Sequence, residues 1–81
     1  MSKPVLFILG AGPKIGQSVA HAFAAEGYRV ALAARSVNDG VGERDYLNIK
    51  LDLSNPGAVA GAFSKVNETL GIPSVIVYNG Q

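Results

Sequence analysis

Residues 8–17, ILGAGPKIGQ, decide how this chain is read. Immediately before them, VLFIL at 5–9 is a continuous apolar run bounded by Pro4 and Gly10. That is the pattern of a strand buried on both faces, as in a parallel sheet covered by helices. After them, Ile15, Val19, Ala22 and Phe23 recur at helical spacing between Lys14 and Glu26, and Gly27 supplies a stop. A strand that turns at once into a helix aims free backbone N–H groups and the positive end of the helix dipole at one point, which favours an anion. Gly10 allows a backbone conformation closed to other residues. Gly12 removes a side chain where a pyrophosphate would approach, and Gly16 lets the helix lie close to the strand. The phosphate-loop pattern G-x-x-x-x-G-K-[ST] is not met, because Pro13 precedes Lys14 and Ile15 follows it.

Working outward, YRVALAA at 28–34 reads as a second apolar strand, and SVNDGVGER at 36–44 carries turn residues without a helical stripe. A helix between the second and third strands is therefore expected to be missing or one turn long. YLNIKLDL at 46–53 alternates Leu47, Ile49 and Leu51 with Asn48, Lys50 and Asp52, a strand with one wetter face. Asn55 offers a helix N-cap with Pro56 at the first helical position. Val59, Phe63, Val66 and Leu70 then form the apolar stripe until Gly71 and Pro73 end it. SVIVYN at 74–79 is the fourth strand. The order βαββαβ predicts an α/β fold: one domain over 1–81, a four-stranded parallel sheet in order 3-2-1-4, right-handed crossovers and helices on both faces. Strands three and four are expected at its edges.

Composition narrows the function classes. The 81 residues are 48% hydrophobic and 16% charged, which suits a packed domain rather than a disordered chain. A formal charge of +1, spread without runs, gives no support to a nucleic-acid or anionic-membrane surface. With no cysteine and His21 as the one histidine, disulfides and the usual zinc ligand sets are excluded. The start MSKPVLFILGAG has a lysine before an apolar run, yet the run is too short and lacks a small-x-small site, so it reads as a strand and not a signal peptide. No stretch approaches the ~18 apolar residues of a membrane span. A cytoplasmic, reducing location is the expectation.

The first turn resembles that of the short-chain dehydrogenase/reductase family, T-G-x-x-x-G-x-G. LGAGPKIG at 9–16 supplies its first glycine as Gly10 and its last as Gly16, with Leu9 in place of the threonine and Lys14 in place of the middle glycine. The resemblance implies half of a Rossmann fold, with Gly10, Gly12, Pro13, Lys14, Ile15 and Gly16 lining the pyrophosphate of a dinucleotide. Lys14 either crowds that pyrophosphate or pairs its ammonium with a phosphate, and Gly12 restores some room. In such sites a carboxylate after the second strand holds the ribose hydroxyls of NAD, whereas an arginine suits a 2′-phosphate. ALAARS ends that strand with Arg35 and Ser36 and no acid, so NADP(H) is the expected cofactor. The resemblance further implies that Asp52 and Leu53 lie beside the adenine, the alternative being that Asp52 caps the following helix. VYNGQ looks like the N-N-A-G stretch that closes the family's fourth strand. Asn79 matches its second asparagine, Tyr78 replaces the first, and Gly80 stands beside it. Asn79 is then a wall for the nicotinamide-side ribose or a support for the sheet.

The resemblance spans nearly the whole chain but about the first third of a typical family member, whose chemistry rests on a later serine and a Tyr-x-x-x-Lys pair. YLNIK at 46–50 matches that pair as a string. One helical turn, however, separates such residues by ~6 Å, whereas a strand spreads them over ~13 Å. His21 falls on the polar face of the first helix, with no acid or nucleophile near it in sequence to suggest a catalytic pairing. Turnover by these residues alone is not expected. The apolar fourth strand leaves one edge unpaired, which predicts a homodimer through that edge. Three accounts follow: an NADP(H)-binding module without catalysis, the cofactor portion of an oxidoreductase completed by another chain or truncated, or an interaction module that has lost the nucleotide.

Overall fold

The computed structural model describes residues 3–10, 13–35, 40–41, 46–52 and 54–78, by backbone alone for 13–17 and 40–41. The elements run β1 (Val5–Leu9), α1 (Pro13–Ala25), β2 (Arg29–Ala34), β3 (Gly40–Val41), β4 (Leu47–Lys50), α2 (Pro56–Thr69) and β5 (Val75–Tyr78). The sheet order is β3-β4-β2-β1-β5. Its four longer strands are parallel and stand in the expected 3-2-1-4 arrangement. Leu9 lies opposite Ala33 on one side and opposite Tyr78 on the other, and Ala34 lies opposite Lys50.

The alternation of side chains along each strand builds two cores, one on each face of the sheet. On one face, Val5, Phe7, Leu9, Ala31, Ala33, Leu47, Ile49 and Leu51 pack under Ala62 and Val66 of α2, with Val59, Phe63 and Leu70 around them. Phe7 meets Phe63 edge to face, 4.9 Å between ring centroids. On the other face, Leu6, Ile8, Val30 and Leu32 pack under Ala20, with Val19, Phe23 and Ala24 of α1 beside it. Every residue of β1 is buried, which is why its sequence shows no alternation. Phe7, wholly enclosed at the centre, is worth roughly 1.5–3 kcal/mol in transfer alone.

The helix ends are fixed locally. At the end of α1, Gly27 takes φ +93°. Its N–H donates to the Ala24 carbonyl at 3.0 Å, and the Tyr28 N–H donates to the Phe23 carbonyl at 3.1 Å, the Schellman pattern. The side chain of Asn55 accepts from the amides of Gly57 and Ala58 at the start of α2, with Pro56 directly after it. At the other end of α2, the Arg29 guanidinium donates to the carbonyls of Leu70 at 3.3 Å and Thr69 at 3.5 Å. A cation at a helix C-terminus is favourable to the dipole, so this contact ties the start of β2 to the end of α2.

Three expectations need correction. Residues 40–41 form a short antiparallel strand, Gly40 opposite Asn48 and Val41 opposite Leu47, so the sheet has five strands and β4 is not its edge. The chain doubles back between β2 and β4, and a two-residue pairing is too brief to show any alternation in sequence. Ala22, assigned to the buried stripe of α1, is exposed, while Ala20 is fully buried. At 100° per residue the sheet-facing arc centres on positions 19, 20, 23 and 24. The strands are also shorter than the runs suggested, and the last paired residue of β4 is Lys50.

Candidate functional site

The chain leaves β1, crosses through α1 to β2 on one flank, and later returns through α2 to β5 on the other flank. The strand order therefore reverses at β1. The helices α1 and α2 cover opposite faces, so the carboxyl ends of β1 and β5 lie at the switch point where open parallel sheets take ligands. Leu9, Gly10 and Tyr78 border that point.

Gly10 leaves β1 with φ +78°, the left-handed region in which a side chain would be strained. Its N–H donates to the Ala33 carbonyl at 2.7 Å, which pins the bend to β2. The helix begins at Pro13, which has no N–H to offer. The first-turn amides of Lys14 and Ile15 are the ones that an α-helix leaves without an internal acceptor, and Gly16 follows them. Gly12 lies outside the described residues, as do the side chains of Pro13, Lys14 and Ile15. The buried stretch of β1, the positive φ of Gly10 and the helix start at Pro13 put a strand end, a bend and a helix N-terminus in succession, an order that favours an anion.

Arg35 stands exposed directly after β2. Asp52, exposed two residues after β4, is at the same end of the sheet. Its carboxyl lies below the ordinary carboxylate value. The Ser54 hydroxyl does most of this, the Ser54 amide adds to it, partial desolvation opposes, and the charge of Arg35 contributes least. Arg35 and Asp52 thus lie within electrostatic reach of one another. The Asp52 side chain accepts from Ser54, and Asn55 caps α2, so the helix-cap alternative for Asp52 does not hold. Ser36, Leu53, Asn79 and Gly80 lie outside the described residues.

Sequence reasoning missed Ser54. The signal was present, since an aspartate followed two residues later by serine is a common side-chain-to-backbone turn. Tyr46 is half-buried against the α1-face core, and Lys50 ends β4 in extended backbone, so the YLNIK string has no helical turn to join its tyrosine and lysine. His21 is exposed on α1. Among the described residues, no group of three acidic or histidine side chains is placed to hold a metal ion, and no helix is long and apolar enough to cross a membrane.

No protein-family model matches the chain. A short-chain dehydrogenase/reductase from Cryptosporiopsis is 41% identical over 80 residues, which cover 99% of this chain and 32% of that protein. A protein named as a ketoacyl reductase of the granaticin polyketide synthase in Streptomyces violaceoruber is 37% identical over 81 residues, covering 94% of this chain and 32% of its own length. Among solved structures, a mutant short-chain dehydrogenase/reductase of Serratia marcescens superposes with a TM-score of 0.81 over 96% of this chain and 35% of its own; at 24% identity it speaks for the fold. The ligand-free aldohexose dehydrogenase of Thermoplasma acidophilum gives 0.74 at 31% identity, over 96% of this chain and 29% of its own. The chain spans about a third of the length of the curated relatives it matches. Along its whole length and in its fold, the chain is similar to about a third of the length of known short-chain dehydrogenase/reductases.

Proposed function

We propose that this chain binds NADP(H) at the carboxyl ends of β1 and β5 and does not turn over a substrate by itself. The observation that carries the reading is the bend at Gly10, a positive-φ glycine between a fully buried strand and the start of a helix. The pyrophosphate rests on the first-turn amides of α1, with Gly10, Gly12, Pro13, Lys14, Ile15 and Gly16 around it. Arg35 and Ser36 receive the 2′-phosphate, Asp52 and Leu53 border the adenine, and Asn79 and Gly80 close the nicotinamide side. The bound cofactor would supply a hydride. The residues of this chain bind and orient it. Titrating NADPH while following its fluorescence tests the reading. A saturable change is expected, stronger than with NADH, and no saturable change at millimolar ligand would refute it.

A second reading is favoured by the share of the relatives that the chain spans. In a longer or two-chain assembly, this module serves as the cofactor portion of an oxidoreductase whose proton donor lies elsewhere. Oxidation of NADPH on adding carbonyl compounds separates the two, being absent for the isolated chain under the first reading.

The same proposal includes a homodimer. The outer edge of β5 ends the sheet, and Ile76 and Tyr78 stand exposed on its α2 side, with Ile72 exposed just before it. An apolar edge of this kind pairs with another strand. A cytoplasmic location accords with a chain that has no cysteine and uses a soluble dinucleotide.

A further inference from the structure

The two helices end in opposite electrostatic settings. The carboxyl end of α2 is covered by the Arg29 guanidinium, which donates to the carbonyls of Leu70 and Thr69. The last turn of α1 holds no basic residue, and the next residue in the chain, Glu26, is an acid. A carboxylate there adds its charge to the negative end of the helix dipole instead of offsetting it. Among the described residues, no hydrogen bond or ion pair engages the Glu26 carboxylate. Beside it, an open pocket of about 410 Å³ is lined by Ala22, Phe23, Glu26 and Tyr28. The rings of Phe23 and Tyr28 meet edge to face, 5.0 Å between centroids and 85° between planes, and stand as two walls of a corner. Both rings are half-buried against the α1-face core, which holds them in place, while Glu26 is exposed. Tyr28 directly precedes β2 whereas Gly10 follows β1, so this corner and the glycine bend lie at opposite ends of the parallel sheet.

We propose that the corner formed by Phe23, Glu26 and Tyr28 binds a small organic cation, an ammonium group carrying short alkyl substituents. Its parts favour the same class of ligand. The carboxylate supplies a counter-charge, and the carboxyl end of α1 adds to it. The aromatic walls attract a cation through the ring quadrupole and meet its alkyl groups as apolar surface. An anion would face both the carboxylate and the helix end, and a neutral apolar molecule would leave Glu26 without a counter-charge. A hard divalent cation is a poorer match, since the pocket offers one carboxylate where such an ion takes six or more oxygens. An acid at a helix carboxyl end breaks a local rule of helix electrostatics, and a bound cation offsets that cost. The site is independent of the nucleotide reading above.

The experiment titrates the chain with choline chloride and with the neutral carbon isostere of choline, in which a quaternary carbon replaces the nitrogen, at constant ionic strength. Amide chemical shifts are the readout. Choline is expected to give saturable shifts centred on Phe23, Glu26 and Tyr28, with an affinity about fivefold above that of the isostere, the scale of a cation–π contact at a partly exposed site. Glu26→Gln should weaken choline by about threefold, the scale of an exposed ion pair, and leave the isostere unchanged. Equal affinity for the two probes, shifts that do not saturate, or an unchanged choline affinity in Glu26→Gln each overturn the proposal. A ligand-free check reads the electrostatic demand directly: Glu26→Lys, which puts an ammonium at the end of α1, should raise the urea midpoint at unchanged slope. A midpoint that stays the same or falls contradicts the unmet charge on which the proposal stands.

Discussion

Arg35 and Asp52 show how two exposed side chains at the end of a sheet acquire different tasks from what surrounds them. Arg35 follows β2 with no acid at the strand end, and its planar fork suits a phosphate. Asp52 is within reach of that charge, and its carboxylate accepts from Ser54; under the proposed function the Arg35 guanidinium receives the 2′-phosphate. Arg35→Glu should therefore weaken NADPH by about 1.5–3 kcal/mol, or ~10- to ~100-fold, and NADH much less, as read by parallel fluorescence titrations. Equal losses for the two cofactors would remove the 2′-phosphate assignment. The backbone of Gly10 is as specific as any side chain here. Gly10→Ala forces an L-residue to φ +78° and should cost about 1–2 kcal/mol in urea unfolding, with weaker dinucleotide binding.

At the scale of elements, the helix ends are the best-determined parts of the fold. Asn55→Ala removes the acceptor for two amides of α2 and should lower stability by about 1 kcal/mol, measured as a shift of the urea midpoint at unchanged slope. Pro56, Gly27 and Gly71 mark helix boundaries in the sequence because each has a backbone consequence that no neighbour can reproduce. The parallel strand order was legible for a related reason. The VLFIL run has no wet face, and the half-wet LNIK segment belongs further from the centre. Three things were not legible. The pairing of Gly40 and Val41 with β4 depends on where the returning chain passes, which two residues cannot encode. The burial of Ala20 in place of Ala22 turns on the rotation of α1, and alanine at both positions gives no signal of it. The two bonds from Ser54 to Asp52 needed coordinates to distinguish them from a helix cap.

The whole molecule is a sheet with a helix on each face and one flank left bare. Val75 and Val77 of β5 turn toward the core under α1, while Ile76 and Tyr78 on the opposite side stand 50% and 66% exposed beyond the cover of α2. A small domain with so much apolar surface outside its core has a thin margin of stability, and pairing across β5 would widen it. Ile76→Lys should abolish the proposed dimer in sedimentation velocity at tens of micromolar without loss of the far-ultraviolet circular dichroism. A parent chain that is already monomeric there would refute the dimer. The strand-turn-helix bend at Gly10 remains the claim on which the functional account stands, and amide chemical shifts read it residue by residue. On addition of NADPH, the account predicts saturable shifts largest at Gly10 and at Lys14 to Gly16, with smaller ones at Arg35 and Asp52. Shifts that fail to saturate, or that gather around Phe23, Glu26 and Tyr28 at the far end of α1, would contradict it.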